Sequence, residues 1–298
     1  MEPYVQTVSN CGLGEGPHWN ADKQELYYVD ISGQFVNRYV PATGERTRVR
    51  IDQERVSMVM PVEGQENRYV ISVGRTLQLM EWDGRSTSPT SLTTMFSVEP
   101  DNPGNRFNDG KCDTKGRLWA GTMNDNQPIG SLYRVTNTIQ QVVSNVGTSN
   151  GIAWNKANTL MYYIDTPTRK VDVFDFNDEE GTISNRRTVF DFNTGGESGS
   201  PDGMNIDSDD NLWVACWGGS QILHVDPLVS RKIKSISLPT NNITSIAFGG
   251  PNLDVMYVTS ASDGLSDAQK REQPAAGSLF QITNTGARGQ GGGNNFRF

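Results

Sequence analysis

The sequence predicts an all-β chain folded as a six-bladed β-propeller, on three observations: one apolar motif recurs six times, turn residues punctuate every short run, and no helical period is sustained. The recurring motif is a run built around Tyr or Trp: LYYVD at Leu26, RYVIS at Arg68, LWAGT at Leu118, MYYID at Met161, LWVAC at Leu212 and MYVTS at Met256. Anchored on Tyr27, Tyr69, Trp119, Tyr162, Trp213 and Tyr257, the units lie about 42 to 51 residues apart, which is the length of one propeller blade. The rungs of a β-solenoid, the competing β-repeat, are shorter.

Within each unit, β-branched and aromatic runs are separated by Gly, Pro, Asn and Asp clusters such as EWDGR, DTKG and DSDDN. In QELYYVDISGQFVNRYVPATGE two strands flank ISG, and the second runs into a turn at Pro41 to Gly44; NTLMYYIDTPTRKVDVFDF repeats the pattern. Helix is predicted to be nearly absent. The leading YVQTV precedes the first unit and is expected to close the ring beside GSLFQIT. The expected organisation is a single propeller domain over residues 1–298, with the Gly-rich tail ARGQGGGNNFRF, from about residue 287, fraying and without function.

Composition narrows the function classes. Apolar residues at 35% and charged residues at 20% are those of a folded chain rather than a disordered one. The 26 basic against 34 acidic side chains give a net charge of −8 with no offsetting basic cluster, which argues against a nucleic-acid partner. No apolar run is long enough to span a bilayer and MEPYVQTVSN does not read as a signal peptide, so a cytoplasmic monomer without a membrane partner is expected. Cys11, Cys112 and Cys216 are widely spaced and odd in number, as for reduced, mostly buried thiols. With only His18 and His224 as imidazoles, a Cys–His nucleophile is disfavoured and a three-histidine zinc site is ruled out.

Superimposing the six units on their aromatic anchors brings a further set of positions into phase, eleven or twelve residues upstream. They are Glu15, Ser57, Asn108, Asn150, Asp202 and Ser245, four of them carboxylates or carboxamides followed by Gly directly or, at Asn108, one residue later. Equivalent positions in a ring of blades face one axis, so these oxygens are expected to converge in the central channel. All-oxygen ligation suits one hard divalent cation, Ca²⁺ first, with Mg²⁺, Mn²⁺ or Zn²⁺ as alternatives. The following Gly would let the backbone turn and approach closely. Two plainer readings stand beside this one: Asn and Asp before Gly as simple turns, and a channel of hydrogen-bonded polar side chains without a metal.

In order and over nearly the whole chain, GEGPHW, NRFNDGKCD, GRLWAGTM, NGIAW, MYYIDT, SNRRTVF, PDGMNID, LWVAC and FGGPNLD resemble the family that includes regucalcin, gluconolactonase and luciferin-regenerating enzyme. The resemblance implies a six-bladed propeller whose metal is held by Glu15, Asn150 and Asp202, with Asn108 in or near the shell. It implies that Arg106 and Asn108 contact substrate, that lactones are opened, and that Asp202 is the general base. One departure concerns the loop after GTM, where the family's acidic sugar contact is replaced by NDNQPIG and the aligned substrate-binding residue is Asn126, beside Asp125.

On that footing the expected activity is metal-dependent opening of a lactone. A bound cation polarises the carbonyl, Asp202 takes a proton from water, and Arg106 with Asn108 orients the ring oxygens. His18 is expected to brace Glu15 or its own blade. Alternatives are a calcium-binding regulatory protein of regucalcin type, weakened by the lack of a DxDxDG loop, a luciferin-regenerating type of hydrolase acting on a non-sugar substrate, a phosphotriesterase, and a scaffold for protein interaction.

Overall fold

The strands follow from a simple requirement: runs such as LYYV within ELYYVD are apolar at successive positions, so both of their faces need covering. A ring of radially packed sheets provides this. The computed structural model describes residues 4–298 and resolves them into six four-stranded antiparallel sheets. The first blade holds β2 (Gly14–Asn20), β3 (Glu25–Asp30), β4 (Phe35–Val40) and β5 (Glu45–Arg50), following β1 (Tyr4–Asn10). The second holds β6 (Val59–Pro61), β7 (Arg68–Val73), β8 (Thr76–Glu81) and β9 (Ser91–Ser97). The third holds β10 (Asn105–Cys112), β11 (Leu118–Asn124), β12 (Gly130–Val135) and β13 (Ile139–Val146). The fourth holds β14 (Ser149–Trp154), β15 (Leu160–Asp165), β16 (Lys170–Asn177) and β17 (Thr182–Asp191). The fifth holds β18 (Ser200–Ile206), β19 (Leu212–Trp217), β20 (Gln221–Asp226) and β21 (Arg231–Ser237).

The sixth blade holds β22 (Asn242–Gly249), β23 (Val255–Ala261) and β24 (Ser278–Thr283), and β1 supplies its outer strand, pairing from Tyr4↔Thr283 to Asn10↔Ser278. The expected closure by the leading segment is therefore found. Helix is confined, among the described residues, to a 3₁₀ turn at Thr166–Thr168 and the short helices α1 (Phe192–Gly195) and α2 (Asp267–Glu272). No helix among them is long and apolar enough to cross a membrane.

Each pair of adjacent blades shares its own apolar cluster, and the described residues form no common central core. Strand alternation divides the load: Leu26 and Tyr28 pack toward the sixth blade, whereas Tyr27 and Val29 pack toward the second. All six aromatic anchors are buried on the second strand of their blades. Two of them are tethered by an aspartate six residues upstream. Asp113 Oδ2 accepts the Trp119 indole N–H at 3.0 Å and Asp207 Oδ2 accepts that of Trp213 at 2.9 Å, while the other carboxylate oxygen caps backbone N–H groups of the turn between. DTKG and DSDDN are thus turns that also hold the blade's largest side chain.

The tail, expected to fray, is laid across one end of the ring. Gly289 bridges Asp207, the Gly293 N–H donates to Trp19 O, the Asn294 amide donates to Cys112 O, and Phe296 is fully buried beside Val62. Three of its four glycines, Gly289, Gly292 and Gly293, give clearance: a Cβ on Gly293 would sit 2.5 Å from the His18 ring, and one on Gly289 would sit 2.5 Å from Phe248 Cβ. Every contact is with the C-terminal end of an inner strand or the turn just beyond. The channel is therefore covered at that end, over a cavity of about 260 Å³, and the tail leaves the N-terminal ends of its inner strands uncovered.

Candidate functional site

The aligned positions lie on the innermost strands, and a feature absent from composition keeps them in phase. Pairing between the first and second strands slips at the same level in five blades, between Glu15 and His18, Phe107 and Gly110, Ser149 and Ile152, Pro201 and Met204, and Ile243 and Ser245. Each slip is a bulge, which releases residues from the ladder and re-aims their side chains. Asn108, Asn150 and Asp202 all sit within such bulges. The β6 strand has none, and Ser57 before it is structural: its hydroxyl donates to Phe107 O at 2.8 Å and contacts Ser72 Oγ at 2.7 Å.

The glycines after the site residues act mainly by omission of a side chain. A Cβ on Gly203 would lie 2.1 Å from Ser245 Oγ, and one on Gly151 would lie 2.7 Å from Met204 N, so neighbouring inner strands could not approach. Neither has positive φ; only Gly16, at φ 54°, takes the left-handed conformation expected of a turn.

The amides form a directed chain. Arg106 Nη1 donates to Asn108 Oδ1 at 2.8 Å, and Asn108 Nδ2 donates to Asn150 Oδ1 at 3.0 Å and to Ser149 O at 3.0 Å. Asn150 Nδ2 donates to Thr166 Oγ1 at 2.7 Å, and Thr166 Oγ1 gives its own proton to Pro201 O at 2.8 Å. A hydroxyl has one hydrogen, so Thr166 can only accept from Asn150, and this directs the Asn150 carbonyl oxygen away from Thr166. Thr166, missed in the sequence because nothing in its type singles it out, is thus tied to both the Asn150 side chain and the strand carrying Asp202. Asn108 has its oxygen engaged by Arg106, which places it behind Asn150 rather than beside it.

Three carboxylates are buried in the channel: Glu15, Asp109 and Asp202. None is ion-paired among the described residues; Glu15 Oε2 accepts the Gly16 N–H at 2.9 Å and Asp109 Oδ1 accepts the Gly110 N–H at 2.7 Å. Burial, then the neighbouring Asp109, pushes the Glu15 carboxyl up to about 8 against the pull of the Gly16 N–H and Arg106. Burial, then Glu15 and Asp109, holds Asp202 well above the usual carboxylate range, and burial raises Asp109 against the Lys111 charge. On the cationic side, burial and the Arg55 charge bring Arg106 down to about 10, and burial brings Lys111 down to about 8. Asp109, next to Asn108, was not singled out in the sequence.

Among the described residues no three His, Cys, Asp or Glu side chains are gathered in the manner of a metal centre, so a cation must be judged on mixed carboxylate and amide oxygens. The donor set fits: buried carboxylates that disfavour one another's ionised form and make no ion pair among the described residues, beside an amide whose oxygen is oriented from behind, are what a hard divalent ion requires. Asn126 is exposed in the loop after β11, its N–H donating to Asn124 Oδ1 at 2.9 Å. His18 does not brace Glu15: it lies further along β2 and its Nε2 meets Asn295 Oδ1 of the tail at 3.3 Å, with burial pushing the ring down to about 4. The three cysteines are free and buried, their thiols pushed up by burial, so none supplies a nucleophile.

Fold and channel together define a class of protein, a six-bladed propeller that gathers carboxylates and amides from separate blades at the open end of its axis. The chain belongs to the SMP-30/gluconolactonase/LRE-like family, whose model matches residues 13–262. It is 37% identical to regucalcin of Xenopus laevis over 286 residues, covering 93% of this chain and 92% of that one. It is 35% identical to regucalcin of Homo sapiens over 289 residues, covering 94% and 93%. A solved structure of luciferin-regenerating enzyme superimposes with a TM-score of 0.95 at 36% identity, covering 100% of both chains. The fold is shared as well with regucalcin of Agrobacterium tumefaciens, described as a calcium-binding protein, at TM-score 0.88 and 24% identity over 98% and 97% of the two chains.

Thr166→Val keeps the shape of the side chain and removes the acceptor for Asn150. If Asn150 holds a divalent cation, calcium affinity measured by titration calorimetry is expected to fall about 10-fold, the lower end for a residue behind a metal ligand, and Thr166→Ser is expected to restore it. Equal affinity in all three proteins would show that Asn150 is oriented without Thr166.

Proposed function

We propose that this protein is a metal-dependent carboxylic ester hydrolase that opens lactones, with Glu15, Asn150 and Asp202 holding one divalent cation, Ca²⁺ first. The observation that supports it is the bringing together of unpaired, buried carboxylates and an oriented amide from different blades at the open end of the channel. When bound, the cation supplies Lewis-acid polarisation of the carbonyl and neutralises its developing oxyanion. Asp202 takes the proton of the attacking water as the new C–O bond forms. It returns that proton to the ring oxygen as the acyl–oxygen bond breaks, leaving a hydroxy acid. Arg106, held in place by Asn108, orients the lactone's polar atoms, and Asn126 contacts its remote end from the loop after β11.

A second reading is a hydrolase of the luciferin-regenerating type acting on a non-sugar substrate. It is favoured by the 0.95 TM-score and 36% identity to that enzyme and by the amide, rather than carboxylate, at Asn126. A panel of sugar and alkyl lactones, assayed after chelation and re-addition of Ca²⁺, Mg²⁺, Mn²⁺ or Zn²⁺, separates the readings. Metal-restored turnover of aldonolactones is expected. Turnover confined to compounds without sugar hydroxyls would favour the second reading, and turnover indifferent to chelation would remove the cation from both.

A further inference from the structure

The open rim of the channel carries an asymmetry of charge. Arg106 stands two residues before Asn108, and Arg55 stands two residues before Ser57, so the two arginines occupy equivalent positions on adjacent blades. At the other four blades the same position is Leu13, Thr148, Ser200 and Ile243, so this layer of the rim is cationic along one arc only.

Neither arginine is firmly held by a carboxylate. Arg106 Nη1 donates to Phe107 O and Asn108 Oδ1, both on its own strand; its Nε is buried without a partner, and it forms no ion pair among the described residues. Arg55 has a single ion pair, Nη1 to Asp125 Oδ2 at 3.7 Å, beyond hydrogen-bonding distance and with both side chains more than half exposed. Such a pair contributes little. Asp125 lies in the loop that carries Asn126, so a displaceable carboxylate already sits against the arginine arc. With Glu15 and Asp202 engaged by a cation, as proposed above, the arginines face Asp125 alone across the entrance.

We infer that Arg55 and Arg106 form an anion subsite that selects substrates bearing a free carboxylate, such as the monolactone of a sugar diacid, by seating that carboxylate in place of Asp125. Recognition comes from the pairing of guanidinium with carboxylate, and long-range attraction raises the encounter rate of an anionic substrate at a rim that the chain's overall −8 charge would otherwise repel. The inference rests on the lactonase reading for the reacting end of the substrate but not for the anion end.

The test compares kcat/KM for a diacid monolactone and for the neutral aldonolactone of the same ring. Arg55→Gln is expected to lower the acid-to-neutral ratio about 10-fold, and Asp125→Asn to raise it. Added salt should lower the ratio of the parent protein. A ratio unmoved by Arg55→Gln and Asp125→Asn overturns the anion subsite and leaves the lactonase reading standing. Should neither lactone turn over, the lactonase reading fails, and calorimetric titration with the ring-opened diacid decides the subsite alone. Binding that is lost in Arg55→Gln supports it, and no binding, or binding that survives in that variant, overturns it.

Discussion

Replacing Asp202 by Asn is expected to lower kcat on lactones by at least about 10²-fold even when the divalent metal is saturating, because general-base catalysis contributes about 10² to 10⁴-fold. The substitution keeps the side chain's shape and one potential ligand oxygen in the β18 bulge while removing both its charge and its basicity. Metal affinity should weaken as well, so the assay is run across a metal titration and the limiting rate is compared. Asn150→Asp is the control: it retains an oxygen at the same level of the channel and adds a charge without touching the base. If Asp202→Asn, saturated with metal, turns over near the parent rate, Asp202 is a ligand only and the proton goes elsewhere. Lys111, brought down to about 8 and donating to Met204 O at 2.8 Å, would then be the next group to substitute.

What could be read from the sequence was set by how completely each strand is covered. The LYYVD and MYYID runs stood out because their strands are buried on both faces, and the sixfold spacing followed from them. Outer strands such as RKIKSIS at Arg231–Ser237 are largely exposed and carry little apolar signal. The channel positions were legible as a set because propeller repeats keep phase. The bulges that aim them were not, since a bulge is a matter of pairing and has no residue type of its own. Glycine was read through its conformational freedom, whereas Gly151, Gly203 and Gly293 are needed for what their missing Cβ leaves room for. The tail misled for the same reason: its Gly-rich composition is that of a flexible segment, but here it clears the face it crosses. His18 meets a partner 277 residues away, and Thr166 acts through a single lone pair; neither relation is visible along the chain.

Divalent metal is expected to stabilise the fold strongly, and removing the ligand charges is expected to abolish that effect without destabilising the metal-free chain. Without a cation, Glu15, Asp109 and Asp202 are each disfavoured as an anion by burial, and Glu15 and Asp202 further by neighbouring carboxylates. Ligation reverses the sign of that interaction, and a ligand that binds only the folded state adds about 4.1 kcal/mol at a concentration 1,000 times its Kd. In thermal unfolding, the parent protein should therefore melt several degrees higher in millimolar Ca²⁺ than in chelator. The double variant Glu15→Gln/Asp202→Asn should melt at one temperature in both, no lower than the chelated parent, because side-chain volume is kept while the two carboxyls whose ionisation the fold disfavours are replaced by neutral amides. A metal-induced shift that persists in the double variant would locate the cation away from the channel. A double variant far less stable than the chelated parent would mean that these carboxylates brace the inner strands in their own right, and the channel would then be polar architecture rather than a cation site.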